Sequence, residues 1–349
     1  MPLRYWNEPQ WERNRIQEMM SCMEFLKHST EFCKDWIGLN YKRAEEIPAV
    51  CRDFVDFSCF GFPQVGEDAS FWLSSKGANT PCHYDTYGCN IVRQVYGRKS
   101  WLLFPPGPQL TTTRIPYEES SVYCLENFYS PNSEEIQKIQ RVEDFAFHCI
   151  LEPNDVLIVP RGWWHYVESL ETSLSVNAWI PLDCDMEAQI EECVVKFLME
   201  RFAVVETEST KIYMLNPNQL NQISDDAELF AVLAHLINTI KSSQSSSKQA
   251  NKTFSYQYLH EAKVDEMLKN FPSVDVVQHL TSSAFNNMLK NNSTRFDEKL
   301  KDSDAVPINP IKEILINSIC HPDVIHFIKQ KFYEGFEKAR EQDFLQKKI

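Results

Sequence analysis

Between about residues 56 and 182 the chain is written in short apolar runs broken by turn residues, the spacing of an all-β barrel or sandwich. Four runs are predicted as strands: Ile91–Val95, Trp101–Phe104 stopped by Pro105 and Pro106, Val156–Val159 stopped by Pro160, and Leu174–Ile180 stopped by Pro181. The stops have a cause, since proline fixes φ and brings no N–H to a ladder. Beyond Asp183 the period changes. Met186, Ile190, Val194, Phe197 and Leu198 recur at spacings of three and four, which predicts a helix over Asp185–Phe202 with one apolar face. Leu229, Val232, Leu233 and Leu236 predict a second helix. From Ser242, SSQSSSKQANK is a polar linker with too little apolar content to pack. Helical patterns return at Val264–Leu268, Val274–Leu289 and Ile311–Phe332, and the first 55 residues are mixed and mostly helical, with Met23, Phe25 and Leu26 near one stripe. The expected organisation is an N-terminal helical segment over 1–55, a β domain over 56–183, and a helical region over 184–349 with a linker near 242–252.

Composition narrows the class. The chain is 43% hydrophobic and 24% charged, as globular proteins are. A formal net charge of −14 argues against a nucleic-acid partner, because neutralising phosphates needs a basic surface. None of the 11 cysteines forms a C-x-x-C pair, which disfavours a zinc ribbon or a thioredoxin-like site. The opening MPLRYWNEPQWERNR has no apolar leader core, and no run reaches the roughly 18 apolar residues of a membrane span. The expectation is a reduced compartment, the cytoplasm or also the nucleus, with free thiols and no membrane contact. The Asn-x-Ser/Thr matches at Asn251, Asn291 and Asn292 are then coincidental.

The segment Thr80-Pro-Cys-His-Tyr-Asp-Thr sets His83 and Asp85 two apart. On a strand such residues share a face, so an imidazole and a carboxylate can grip one ion. A third ligand is available in Val-Pro-Arg-Gly-Trp-Trp-His165, after a strand and a tight turn. Two histidines and a carboxylate on one face of an ion, with its other positions open, form the facial set of non-haem iron(II) oxygenases; manganese, cobalt or zinc can occupy the same ligands. Facial ligands near 2 Å from one ion lie about 3 to 4 Å from one another. Taken singly, an H-x-D triplet arises by chance and a histidine after two tryptophans is equally a packing residue. The order of the three along a β-rich segment favours metal. Lys99, in Gly-Arg-Lys-Ser-Trp, offers a point charge for an anionic co-substrate, with Thr80 as a hydroxyl partner nearby. Alone it is equally a solvated turn lysine. Arg98 faces the other way. Trp101, Trp163 and Trp164 are candidates for walls of the site or for plain core.

TPCHYDTYGCNIVRQVYGRKSWLLFPP, DVLIVPRGWWHYVES and LSVNAWIPL together resemble the JmjC group of cupin-like oxygenases, above all its small hydroxylase-type members such as the asparaginyl hydroxylase acting on the hypoxia-inducible factor. RIPYEESSVY and ILINSICHPDVIHFIKQKF bring the chain nearer to the branch associated with a small heat-shock protein. The resemblance covers about Phe57–Pro181 most strongly. It implies a double-stranded β-helix of the jelly-roll or cupin kind with a C-terminal α-helical tail. It implies iron(II) held by His83, Asp85 and His165, with 2-oxoglutarate and O₂ as co-substrates. Thr80 and Lys99 match the residues that bind the distal carboxylate of 2-oxoglutarate. Asn90 and Asn177 match asparagines lining that pocket, although one extra residue lies between Asp85 and the Gly97 turn. Relatives begin with a further strand and helix before the segment matching Pro2–Trp6, so the N-terminus is expected to be shortened. Tyr41 stands nearest to the family tyrosine that also touches 2-oxoglutarate.

The implied activity is oxidative decarboxylation of 2-oxoglutarate coupled to hydroxylation of a protein. Lysine demethylation by the same chemistry is the alternative, disfavoured by the lack of zinc-finger spacing and of a basic tail. A catalytically silent scaffold for a chaperone is the other. The expected partners are a protein substrate, among them a small heat-shock protein or another chaperone. A homodimer or docking surface built from the C-terminal helices is also expected, because two apolar helices exceed what one barrel flank needs to cover.

Overall fold

Alternation along Leu174–Ile180 and Ile91–Val95 places two different surfaces on each strand, and the architecture follows from how each is covered. The computed structural model describes residues 2–3, 20–30, 36–48, 55–57, 69–107, 109–182, 184–216, 226–246, 275–295 and 308–346. The described strands are β1 (Pro2–Leu3), β2 (Trp36–Arg43), β3 (Ser70–Ser74), β4 (Asn79–Asp85), β5 (Cys89–Tyr96), β6 (Lys99–Phe104), β7 (Thr112–Glu118), β8 (Ser121–Cys124), β9 (Phe147–Leu151), β10 (Val156–Val159), β11 (Trp164–Ser169), β12 (Ser173–Ile180) and β13 (Gln278–His279). The helices are α1 (Cys22–Thr30), α2 (Ser133–Ile139), α3 (Asp185–Val204), α4 (Glu208–Met214), α5 (Asp226–Ser246), α6 (Ser282–Ser293), α7 (Pro310–Ile319) and α8 (Pro322–Gln346).

The chain forms two compact units: Met1–Thr111 with Tyr123–Asp183 and Lys252–Ser303, and Thr112–Val122 with Cys184–Asn251 and Asp304–Ile349. The division is therefore not one cut between barrel and tail. A β-hairpin from the middle of the chain belongs with the helices, and the segment 275–295 belongs with the barrel.

In the first unit one antiparallel sheet runs β1-β2-β3-β12-β5-β10 and a second runs β13-β9-β6-β11-β4. This is the expected cupin barrel, mostly antiparallel with helices before and after it. The outward positions of the first sheet are apolar: Phe71, Cys89, Ile91, Val176, Ala178 and Ile180 form one cluster with Ala44, Phe57 and Ala69, which precede β3. The facing core of the two sheets is Val92, Leu157 and Val159 against Trp101, Leu103 and Leu151. The inward neighbours Asn90, Gln94, Ser175 and Asn177 are polar and buried. Burying four polar side chains costs free energy unless each finds partners, so this wall has a purpose other than core formation.

Several expectations change in the folded chain. The N-terminal segment holds the eight-residue strand β2, paired with β3, beside a single described α-helix; long-range pairing decides a weakly patterned segment. The expected helix Val274–Leu289 is interrupted by β13 at Gln278–His279, and α6 begins only after it, where the Thr281 hydroxyl caps the helix by accepting from the Ala284 N–H. Ile311–Phe332 is two helices, with Pro322 opening the second at the position where its missing N–H costs nothing. The first residues of the polar linker, 242–246, continue α5. Val264–Leu268 lies outside the described residues.

In the second unit α3 buries Ala188, Glu192, Val195, Met199 and Ala203, a stripe on nearly the opposite side from the one expected. The expected stripe is covered as well: Met186 and Ile190 pack with Leu233, Leu236, Ile237 and Ile240 of α5, and Val194 and Leu198 pack around Met199, Met214 and Ile316. No member of the expected stripe is exposed. The stripe expected on α3 is thus covered inside its own unit, whereas Ile311, Ile314 and Leu315 of α7 and Phe327 of α8, from the second expected helix, are exposed. Glu192 can lie in that interior because Arg114 of β7 meets both its oxygens, at 2.5 and 3.3 Å.

Candidate metal centre and anion pocket

Strand β4 is irregular where it matters. Its pairing with β11 runs Asn79 to Glu168 and Thr80 to Val167, then slips, so that His83 stands opposite His165. Residues three apart normally point to opposite faces. The bulge at Pro81–Cys82 turns His83 to the same inner face as Thr80. Proline fits there because a bulged position owes no N–H to the ladder. The bulge also releases the Pro81 carbonyl, and His83 Nδ1 lies 2.9 Å from it. His165 uses the same device, its Nδ1 lying 3.0 Å from the carbonyl of Trp163, also two residues earlier. A carbonyl can only accept, so each Nδ1 carries the proton and the Nε2 lone pair is the one presented inward.

Asp85 completes the group. The ligand-type atoms of His83, Asp85 and His165 all lie within 4.8 Å of one another, and all three residues are buried. His83 Nε2 and Asp85 Oδ1 are 3.8 Å apart. The set is somewhat wider than the 3 to 4 Å expected of bound facial ligands. The other Asp85 oxygen, Oδ2, accepts the indole N–H of Trp179 at 2.9 Å. The backbone carbonyl of Asp85 accepts from Gly162 N at 3.0 Å, tying the end of β4 to the turn that leads into His165. Two imidazole nitrogens and one carboxylate oxygen, each with its other polar atom committed, fit a divalent transition metal.

Lys99 also faces inward, two residues from Trp101, whose ring stacks 5.8 Å from that of His165. The expected neighbour of Lys99 was Thr80. Thr80 does share its sheet face, but the ammonium reaches across the interior and donates to Ser175 Oγ at 2.8 Å, with the Trp72 carbonyl at 3.5 Å. Among the described residues no carboxylate lies within ion-pair reach of it. Burial without a counter-charge pushes Lys99 down to about 7. A ligand that brings an anion to this ammonium restores its usual charge, so the donor set fits a carboxylate.

The two asparagines join one chain of hydrogen bonds. Trp72 Nε1 donates to Asn177 Oδ1 at 2.7 Å, and Asn177 Nδ2 donates to Asn90 Oδ1 at 2.8 Å. An indole can only donate, which fixes both amides. Each asparagine oxygen is thereby committed to the wall.

Sequence reasoning missed Ser175, Trp72 and Trp179. A signal for two of them existed: in Leu-Ser-Val-Asn-Ala-Trp-Ile the polar-capable residues Ser175, Asn177 and Trp179 alternate with apolar ones. Of the three tryptophans offered as walls, Trp101 sets its ring beside a triad residue. Trp164 packs on Tyr84, and Trp163 on Phe147. The side chain of Tyr41 lies outside the described residues.

A family model described as a cupin-like domain matches residues 5–184. Among curated proteins, HSPB1-associated protein 1 of Bos taurus is 40% identical over 202 residues, covering 55% of this chain and 41% of that one. HSPB1-associated protein 1 of Homo sapiens is 43% identical over 174 residues, covering 49% and 35%. Lysine-specific demethylase JMJ30 of Arabidopsis thaliana is 36% identical over 130 residues, covering 37% and 30%. The matched segment spans well under half the length of these relatives.

Proposed function

We propose, from the premise that the chain belongs to the cupin-like domain family, that its barrel is an iron(II)- and 2-oxoglutarate-dependent oxygenase that hydroxylates a protein. The observation that carries this reading is Lys99: a buried ammonium without a carboxylate partner among the described residues, on the same sheet face as the converging His83, Asp85 and His165. Bound by those three side chains, iron supplies the activation of O₂ that no amino-acid side chain can provide. The protein's own residues do the rest. The Pro81 and Trp163 carbonyls hold both imidazoles in the ligating tautomer. Lys99 binds the distal carboxylate, with Ser175 and Thr80 beside it. Asn90 and Asn177 line the pocket between, held by Trp72. The enclosed interior keeps water from the reacting centre.

A small heat-shock protein is the partner we propose, on the ground that relatives 40% and 43% identical are named for association with HSPB1. Lysine demethylation is the second reading, favoured by the name of the Arabidopsis relative. The test is 2-oxoglutarate turnover by the full chain with iron(II) and ascorbate. Succinate should form, and His83→Ala and Asp85→Ala should abolish it. A protein that binds both cobalt(II) and 2-oxoglutarate without turnover is a scaffold, and one that binds neither overturns the reading. Substrate trapping under nitrogen then separates a chaperone from a methylated lysine peptide.

A further inference from the structure

We infer that Trp179 is a positioning residue for the metal centre, holding Asp85 so that one carboxylate oxygen alone is offered to the ion. The inference rests on the metal reading above. A carboxylate on a free side chain can rotate, present either oxygen, or chelate with both. Asp85 is restrained. Its Oδ2 accepts the Trp179 indole N–H at 2.9 Å, while Oδ1 is the oxygen 3.8 Å from His83 Nε2. An indole nitrogen has no lone pair to offer, so the contact has one polarity in every protonation state of its neighbours. The bond also crosses the barrel: Asp85 ends β4 of one sheet and Trp179 lies on β12 of the other.

A second, independent feature holds the indole in place. The turn between β4 and β5 brings Gly88 against the ring of Trp179. A Cβ on Gly88 would sit 3.1 Å from Trp179 Cβ and 3.4 Å from Cδ1, the ring carbon bonded to the donating nitrogen, and Gly88 has φ +78°. A glycine here satisfies the turn and leaves room for the ring. The same turn thus follows the ligating carboxylate by three residues and bounds the group that orients it.

Partners of a ligand's non-ligating atom typically contribute 10- to 100-fold to metal affinity. Cobalt(II), titrated alone into the full chain, should therefore bind Trp179→Phe about 10- to 100-fold more weakly than wild type, with shifted visible d–d bands, since the freed carboxylate can change its mode of ligation. The melting temperature without metal should change little. Trp179→His keeps a ring N–H and should recover part of the affinity. Wild-type affinity and unshifted bands in Trp179→Phe would overturn the inference. So would equal losses in the Phe and His variants, because that pattern reports packing alone. If Trp179→Phe does not fold, the His variant decides: cobalt(II) bands like those of wild type support the inference, and loss of binding in a folded protein overturns it. A wild-type chain that does not bind cobalt(II) removes the metal reading itself, a result seen before any variant is compared.

Discussion

The two units bury cations in opposite ways. In the helical unit Arg114 is buried with Glu192, its Nη1 and Nη2 reaching both carboxylate oxygens, and it also donates to the Ser121 carbonyl. Lys329, equally buried, meets Glu191 at 2.7 Å and Glu187 at 3.0 Å. In the barrel unit Lys99 has a hydroxyl and a carbonyl and no acid among the described residues. A buried charge that serves only the fold is matched from within the chain, because an unmatched one is destabilising by several kcal/mol. One that is left unmatched, beside a convergent metal-type triad, is what the proposed anion pocket rests on.

The sharpest way to break this comparison is to unmatch the matched pair. Arg114→Met leaves Glu192 buried without its partner and should lower stability by about 3 to 5 kcal/mol, measured by urea unfolding. A loss below about 1 kcal/mol would place the pair with surface salt bridges and erase the contrast. Lys99→Met should act the other way. It should weaken 2-oxoglutarate binding by about 1.5 to 3 kcal/mol in calorimetry, while the ligand-free protein becomes no less stable. Unchanged affinity would reject the role of Lys99.

The pH dependence sharpens the same point. Burial lowers the pKa of Lys99 to about 7 in the folded chain, against about 10.4 when unfolded. Below pH 7 both states hold the proton and the cost of the buried charge is present in full. As pH rises from 7 towards the unfolded value, the folded state has released its proton and the cost is relieved. A dicarboxylate that needs the ammonium must then take up a proton on binding. Its affinity should fall above pH 7, by at most tenfold per pH unit. Lys99→Met should lose that slope; a slope that persists in the variant would assign it to another group. The smallest effect is expected from Ser175→Ala, which removes one hydrogen bond from the ammonium and should weaken 2-oxoglutarate by about 0.5 to 1.5 kcal/mol. A loss as large as that of Lys99→Met would make Ser175 itself the main contact.

The strands were legible from short apolar runs, three of them ended by proline: Val156–Val159 is β10 residue for residue, Trp101–Phe104 and Leu174–Ile180 lie inside β6 and β12, and Ile91–Val95, without a proline stop, lies inside β5. Strands β2 and β13 were not, because their conformation is set by pairing with distant strands. In the site, the spacing of His83 and Asp85 and the context of His165 were visible. Their convergence was also expected, and the three ligand atoms lie within 4.8 Å of one another; the bulge that turns Thr80 and His83 to one face was not legible, because it has no signature beyond Pro81.

What the sequence determined by itself is the inventory: an imidazole and a carboxylate two apart on a strand, a second histidine after a turn, one lysine at a strand start, and a polar stripe through an apolar strand. These follow from local rules, period two and the geometry of proline, which need no knowledge of distant residues. Tertiary structure alone decided the pairings. It turned Lys99 to Ser175 instead of Thr80, placed Trp179 on Asp85 and Trp72 on Asn177, and gave Glu192 to Arg114. The reason is physical. Each of these contacts joins groups far apart in the chain, and a buried polar atom accepts whichever partner the packed strands and helices bring within about 3 Å.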